Sequence, residues 1–187
     1  SDERTGEVIE SSGTSTGEGR SVSIYKYENG QANQPLKDVE FAIYDVAVDT
    51  SGTEVTVDGN EKLTLRKTGM TGADGYLRIG GLLLDHVYLL KETTPLNGYT
   101  IDPQYKDGRY FVFEGQSGHI FDTSKIQVFG KNVYSYNFMI NNDRIPAAAE
   151  IKVSKKVNGA NYTADEDFKF TITGENDAPM PENNTVT

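Results

Sequence analysis

Apolar residues recur at every second position in much of this chain, and three such runs carry a polar residue in the apolar phase. Val22 and Ile24 lead to Lys26, Tyr88 and Leu90 lead to Glu92, and Phe138 and Ile140 lead to Asn142. Successive side chains of a strand point to opposite faces, so each polar group is expected to face inward with its apolar neighbours. A buried amine or carboxyl is costly unless it is paired or neutralised. An amine, a carboxyl and a carboxamide in one dry site can do more than pair, because the amine can attack the amide carbon.

The alternation predicts strands over 22–27, 39–46, 63–66, 76–79, 86–92, 110–113, 120–129 and 133–141. Asn29-Gly30, Asp74-Gly75, Asn97-Gly98 and Asp107-Gly108 separate several of them, and such pairs are turn signals. No run supports a helix longer than about two turns. Short strands at this spacing point to an all-β chain, with a β-sandwich over 20–146. Residues 1–19 lack aromatics and read as a flexible leader or linker. Beyond Ile145 and Pro146 the run of three alanines reads as a hinge. Ile151 and Val153 then put Lys155 in the apolar phase, and Phe168 and Phe170 follow. Residues 147–187 are therefore expected to be the N-terminal part of a second β domain, incomplete because so short a unit rarely folds alone.

Composition narrows the function. Eighteen basic against 28 acidic residues give a net charge of −10, which argues against nucleic acid or an anionic membrane as partner. Without cysteine there is no disulfide, thiolate zinc site or cysteine nucleophile. No apolar run reaches the length of a membrane span. Asp45, Asp49 and Asp58 lack calcium-loop spacing, and His86 and His119 are isolated in sequence. No metal or cofactor is expected. Tyr25, Tyr27, Tyr134 and Tyr136 could make an adhesive face, but strand tyrosines more often pack. An enzyme acting on external substrates is the least favoured class.

Tyr88, Leu90, Glu92, Pro95, Gly98 and Tyr99 resemble the E-box of collagen-binding B-type (CnaB, SpaA-like) domains of Gram-positive surface proteins and pilins. The family pattern runs Tyr-x-Leu-x-Glu, then Pro, then Gly-Tyr. The approach from Thr71 to Leu82, the segment from Pro35 to Tyr44 and the exit from Asn142 to Pro146 are similar to that family too. Pro95 stands one place earlier than the commonest spacing, which implies an altered turn.

The resemblance implies an immunoglobulin-like sandwich with an intramolecular isopeptide bond. Carried over, Lys26 is the nucleophile, Asn142 the acceptor and Glu92 the acid–base residue. Lys155 matches the lysine position of a second such site. The groups support the chemistry: desolvation favours a neutral amine with a free lone pair and a protonated acid to help the oxyanion and shuttle protons. Asn141 is the competing acceptor, since strand ends can bulge, and a Lys26–Glu92 pair without covalent closure is the alternative. The family also implies a pilus subunit or adhesin stalk outside a Gram-positive cell. Its partners there would be other pilus subunits or, through sortase, peptidoglycan. A domain that binds host matrix protein or glycan directly is the other reading.

Overall fold

Strands form where the alternation is strongest, in a computed structural model that describes residues 5–8, 19–146, 170–171 and 185–186. In chain order the described strands begin with Thr5–Val8 (β1), Arg20–Glu28 (β2), Gln31–Pro35 (β3), Glu40–Val46 (β4) and Glu54–Val55 (β5). Leu63–Met70 (β6), Tyr76–Leu82 (β7) and Tyr88–Thr94 (β8) follow, then a short helix Pro103–Asp107 (α1). Arg109–Phe113 (β9), Ile120–Phe121 (β10), Ile126–Phe129 (β11) and Ser135–Asn142 (β12) complete the first of two compact units, which ends at Ile145. In the second unit the described strands are Phe170–Thr171 (β13) and Thr185–Val186 (β14), paired antiparallel.

The first unit is an all-β sandwich. One sheet has the order β1-β7-β2-β12, with β3 added to β2, and the other has the order β11-β9-β8-β4-β6. Val22, Ile24, Phe41, Ile43, Leu77, Ile79, Tyr88, Leu90, Phe111, Phe113, Phe138 and Ile140 fill the space between them. Every one of these comes from the inward phase of its strand, as period-two patterning requires. A second apolar cluster lies on the outer face of the β8 sheet. There Leu89 and Val112 pack with Val46, Val55, Val57, Val87, Phe121 and Ile126, and the small parallel pair of β10 and β5 supplies part of it. Central strand β8 is consequently buried on both faces from Tyr88 to Leu90.

Three sequence expectations change. The run 120–129 is two strands, not one, because Asp122 bends the chain and its carboxylate accepts bonds from the backbone N–H and hydroxyl of Ser124. Residues 31–35 form β3 although they are largely exposed. Within the 1–19 stretch read as a flexible leader, Thr5–Val8 pairs in parallel with β7. An edge strand needs only backbone partners, so polar sequence does not forbid it.

The pairing that matters most joins the first and last long strands. β2 and β12 run parallel, with Ile140 beside Lys26 and Asn142 beside Glu28. The Asp74-Gly75 turn braces this point: Lys26 N–H donates to the Gly75 carbonyl at 2.8 Å. Gly75 has φ 78°, and a Cβ there would sit 2.6 Å from the Lys26 carbonyl oxygen, so only glycine fits.

Candidate functional site

Lys26 and Asn142 enter the core from one sheet and Glu92 enters from the other. The alternation on β2 and β12 sends Lys26 and Asn142 to the same inward face, one step apart along the paired strands. On the facing sheet Glu92 continues the inward series of Tyr88 and Leu90. Lys26 is 0% exposed, Glu92 3% and Asn142 1%. Lys26 Nζ lies 3.2 Å from Glu92 Oε2, and Asn142 Nδ2 donates to Glu92 Oε1 at 2.5 Å. Glu92 thus holds both nitrogens, one on each oxygen.

Burial governs the charges. Desolvation pushes the Lys26 amine down to about 8, against the opposing pull of Glu92. Desolvation also pushes the Glu92 carboxyl up, against Lys26 and the Asn142 hydrogen bond. Both shifts favour the neutral pair, an amine with a free lone pair beside a carboxylic acid. The carbonyl of Asn142 has a different partner from the one the sequence suggests. Its Oδ1 accepts the backbone N–H of Asp102 at 3.1 Å, while Glu92 faces the amide nitrogen.

The segment that carries Asp102 is tied along the end of β12. Ile145 N–H donates to the Gly98 carbonyl at 2.8 Å, and Thr100 N–H to the Asp143 carbonyl at 2.9 Å. Asp102 itself caps α1: its carboxylate accepts the Gln104 N–H at 3.0 Å, with Pro103 in the first turn. A second polar group clamps the same segment from outside. Glu28, next in phase after Lys26, accepts from Arg144 Nε at 2.7 Å and from the Tyr99 hydroxyl at 2.9 Å. Those bonds hold its carboxyl below the usual range, with Arg144 the larger cause. Neither Glu28 nor Asp102 stands out in sequence as part of a site. The in-phase position of Glu28 and the helix-start pattern Asp102-Pro103 are the signals that could have found them.

The remaining candidates fall elsewhere. Asn141 points away from the trio, its Nδ2 3.4 Å from the Tyr27 hydroxyl. Lys155 lies outside the described residues. His86 lies 3.4 Å from an Asp45 oxygen, and His119 contacts the Thr50 carbonyl. Asp49 and Asp58 accept backbone N–H groups of their own loops. Tyr25 stacks on Tyr27 and Tyr76, and Tyr136 packs on Phe129 and Phe138. Among the described residues, no helix is long and apolar enough to cross a membrane.

Residues 20–110 match the family described as SpaA, a prealbumin-like fold domain. Among solved structures, the chain is similar to the minor pilin GBS52 of Streptococcus agalactiae. Identity there is 20% over 74% of this chain and 49% of that one, with a TM-score of 0.42. A group B streptococcus pilus 2b backbone protein matches at 18% over 67% and 41%, with a TM-score of 0.40. The C-terminal domain of the shaft pilin SpaA from Lactobacillus rhamnosus GG matches at 14% over 67% and 98%, with a TM-score of 0.38. The chain spans less than half the length of the two streptococcal proteins. No curated protein matches the chain significantly. The inward-facing strands of the sandwich and the family match agree: residues 20–110 are similar to the SpaA prealbumin-like fold family.

Proposed function

We propose that this chain is a structural module of a Gram-positive pilus subunit or adhesin stalk, welded internally by an isopeptide bond between Lys26 and Asn142. One observation carries the reading: Glu92 touches the attacking nitrogen with one oxygen and the leaving nitrogen with the other, in a buried site. Burial leaves the Lys26 lone pair free to attack Cγ of Asn142. Glu92 takes a proton from Nζ on Oε2 and delivers one to Nδ2 from Oε1. The Cγ–Nδ2 bond breaks, ammonia leaves, and a secondary amide remains. Folding supplies the proximity, so the reaction runs once and needs no cofactor.

The bond would join the first and last long strands, which lie parallel and adjacent. Tension applied at the two ends of the sandwich would then pass through covalent links without unzipping either sheet. A shaft pulled between a cell wall and a surface needs that property. In this reading 20–146 is the load-bearing domain, 1–19 precedes it, and 147–187 begins a second unit with Lys155 as its lysine. Other pilus subunits, or peptidoglycan through sortase, are the expected partners. The Tyr25–Tyr27–Tyr76 stack spends its faces on itself, so direct binding of host matrix or glycan has no comparable support.

Intact-protein mass tests the reading. The wild-type chain is expected to be lighter than its sequence by one ammonia, and Glu92→Ala to have its full sequence mass. A wild-type chain that retains the ammonia refutes the cross-link.

A further inference from the structure

We propose that the backbone N–H of Asp102 is the oxyanion donor of the cross-linking reaction, an assignment that rests on the isopeptide reading above. In acyl transfer the carbonyl oxygen gains the electron pair displaced from the π bond, and a donor already aimed at it lowers the barrier. Lys26 Nζ attacks Cγ of Asn142 and the pair moves onto Oδ1. Collapse of the tetrahedral centre restores the carbonyl and expels Nδ2 as ammonia, with the proton relayed from Nζ through Glu92.

Glu92 has no oxygen to spare for Oδ1. Its Oε2 faces Lys26 and its Oε1 faces the departing nitrogen. Oδ1 instead meets the Asp102 N–H at 3.1 Å. A backbone N–H only donates, so this contact also fixes which way the carboxamide points and presents Nδ2 to the acid. The donor is held in place beforehand. Its carbonyl accepts from Tyr105 and Lys106 N–H, its carboxylate accepts from Gln104 N–H, and Thr100 is tied to Asp143. Such fixation is what makes a donor effective, since nothing has to reorganise as charge develops. The Asp102 carboxylate contributes no donor, and its charge opposes the oxyanion.

Asp102 has φ −58° and ψ 125°, values that proline adopts without strain. Asp102→Pro therefore deletes the N–H while keeping the backbone path, and Asp102→Ala deletes only the carboxylate and its cap. The chain is synthesised in a cell-free reaction, and ammonia loss is followed by intact mass. Asp102→Ala is expected to cross-link within tenfold of the wild-type rate, and Asp102→Pro about 10²–10³-fold more slowly, the usual cost of one lost oxyanion donor. Equal rates for the two variants overturn the assignment while leaving the cross-link intact. A wild type that keeps its ammonia overturns the cross-link itself.

Should Asp102→Pro not fold, the amide is read directly in Glu92→Ala, which cannot react. There the Asp102 ¹H–¹⁵N signal is expected downfield and protected from exchange, and Asn142→Ala is expected to abolish both features. An Asp102 amide indifferent to Asn142→Ala refutes the donor role.

Discussion

Glu92 and Glu28 both lie against a cation where the ends of β2 and β12 come together, yet their acidities move in opposite directions. Their side chains show similar surface exposure, 0% and 6%, but Glu92 lies deep in the core and Glu28 at its rim. Two things differ, the depth of the carboxyl and the solvation of its partner. Lys26 is fully enclosed, whereas the Arg144 side chain is 66% exposed. A guanidinium in water keeps its proton and stabilises the carboxylate beside it, so Glu28 moves down. Deep in the core, desolvation pushes the Glu92 carboxyl up despite the pull of Lys26, and it pushes the enclosed Lys26 amine down. One clasp stays ionic and the other is driven towards the neutral pair. The depth of the site and the solvation of the cation decide which.

The largest effect should come from removing the acceptor. In Asn142→Ala the mass is that of the sequence, and the thermal midpoint falls on the order of 15 °C. A cross-link closing a loop of about 116 residues contributes about 5 kcal/mol in the chain-entropy model, and each kcal/mol moves a domain of this size by a few degrees. An unchanged midpoint would mean that the enclosed clasp is no stronger than the exposed one.

Next is the brace behind Lys26. Gly75→Ala puts a Cβ against the Lys26 carbonyl at a positive φ, so it should cost about 1–3 kcal/mol in urea melts and delay ammonia loss. A variant with normal stability and normal cross-linking would show that the buried clasp tolerates displacement of β2.

The smallest effects are in pH dependence and separate the clasps by sign. On the unreactive Asn142→Ala background, a raised Glu92 makes the folded chain bind more protons, so stability falls as pH rises above about 4.5, its unperturbed value. Glu92→Gln removes that slope. A depressed Lys26 adds stability between about 8 and 10.5, as the unfolded chain alone remains protonated. The depressed Glu28 contributes stability that is present above about 4.5 and lost on acidification below it. Glu28→Gln should flatten only this acid limb, by an amount that shrinks with added salt because Arg144 is exposed. Slopes of the same sign for the two glutamates, from urea midpoints across pH, would break the comparison.

Much of the buried Lys26–Glu92–Asn142 clasp was legible because strand periodicity is a local property. Lys26, Glu92 and Asn142 each follow two apolar residues in phase, and that phase alone turns them inward. It also separates Asn142 from Asn141, which faces Tyr27. Glu28 obeys the same rule, yet it sits at a strand end beside Asn29-Gly30, where a turn reading competes. The exposed strand β3 and the four-residue β1 carry too little apolar pattern to read. The bend at Asp122 hides inside a run that is apolar on both sides.

By itself, then, the chain determined which side chains face the core, because alternation is written in neighbouring residues. It also determined the all-β class, because its punctuation by Asn-Gly and Asp-Gly leaves short strands and little helix. Only the tertiary structure decided that β2 and β12 lie side by side and parallel, and that Glu92 reaches both nitrogens from the opposite sheet. It alone brought the Asp102 N–H onto the amide oxygen. The physical reason is that these facts concern segments 40 to 116 residues apart, and that a backbone N–H is common to every residue but proline, so its position leaves no mark in the sequence.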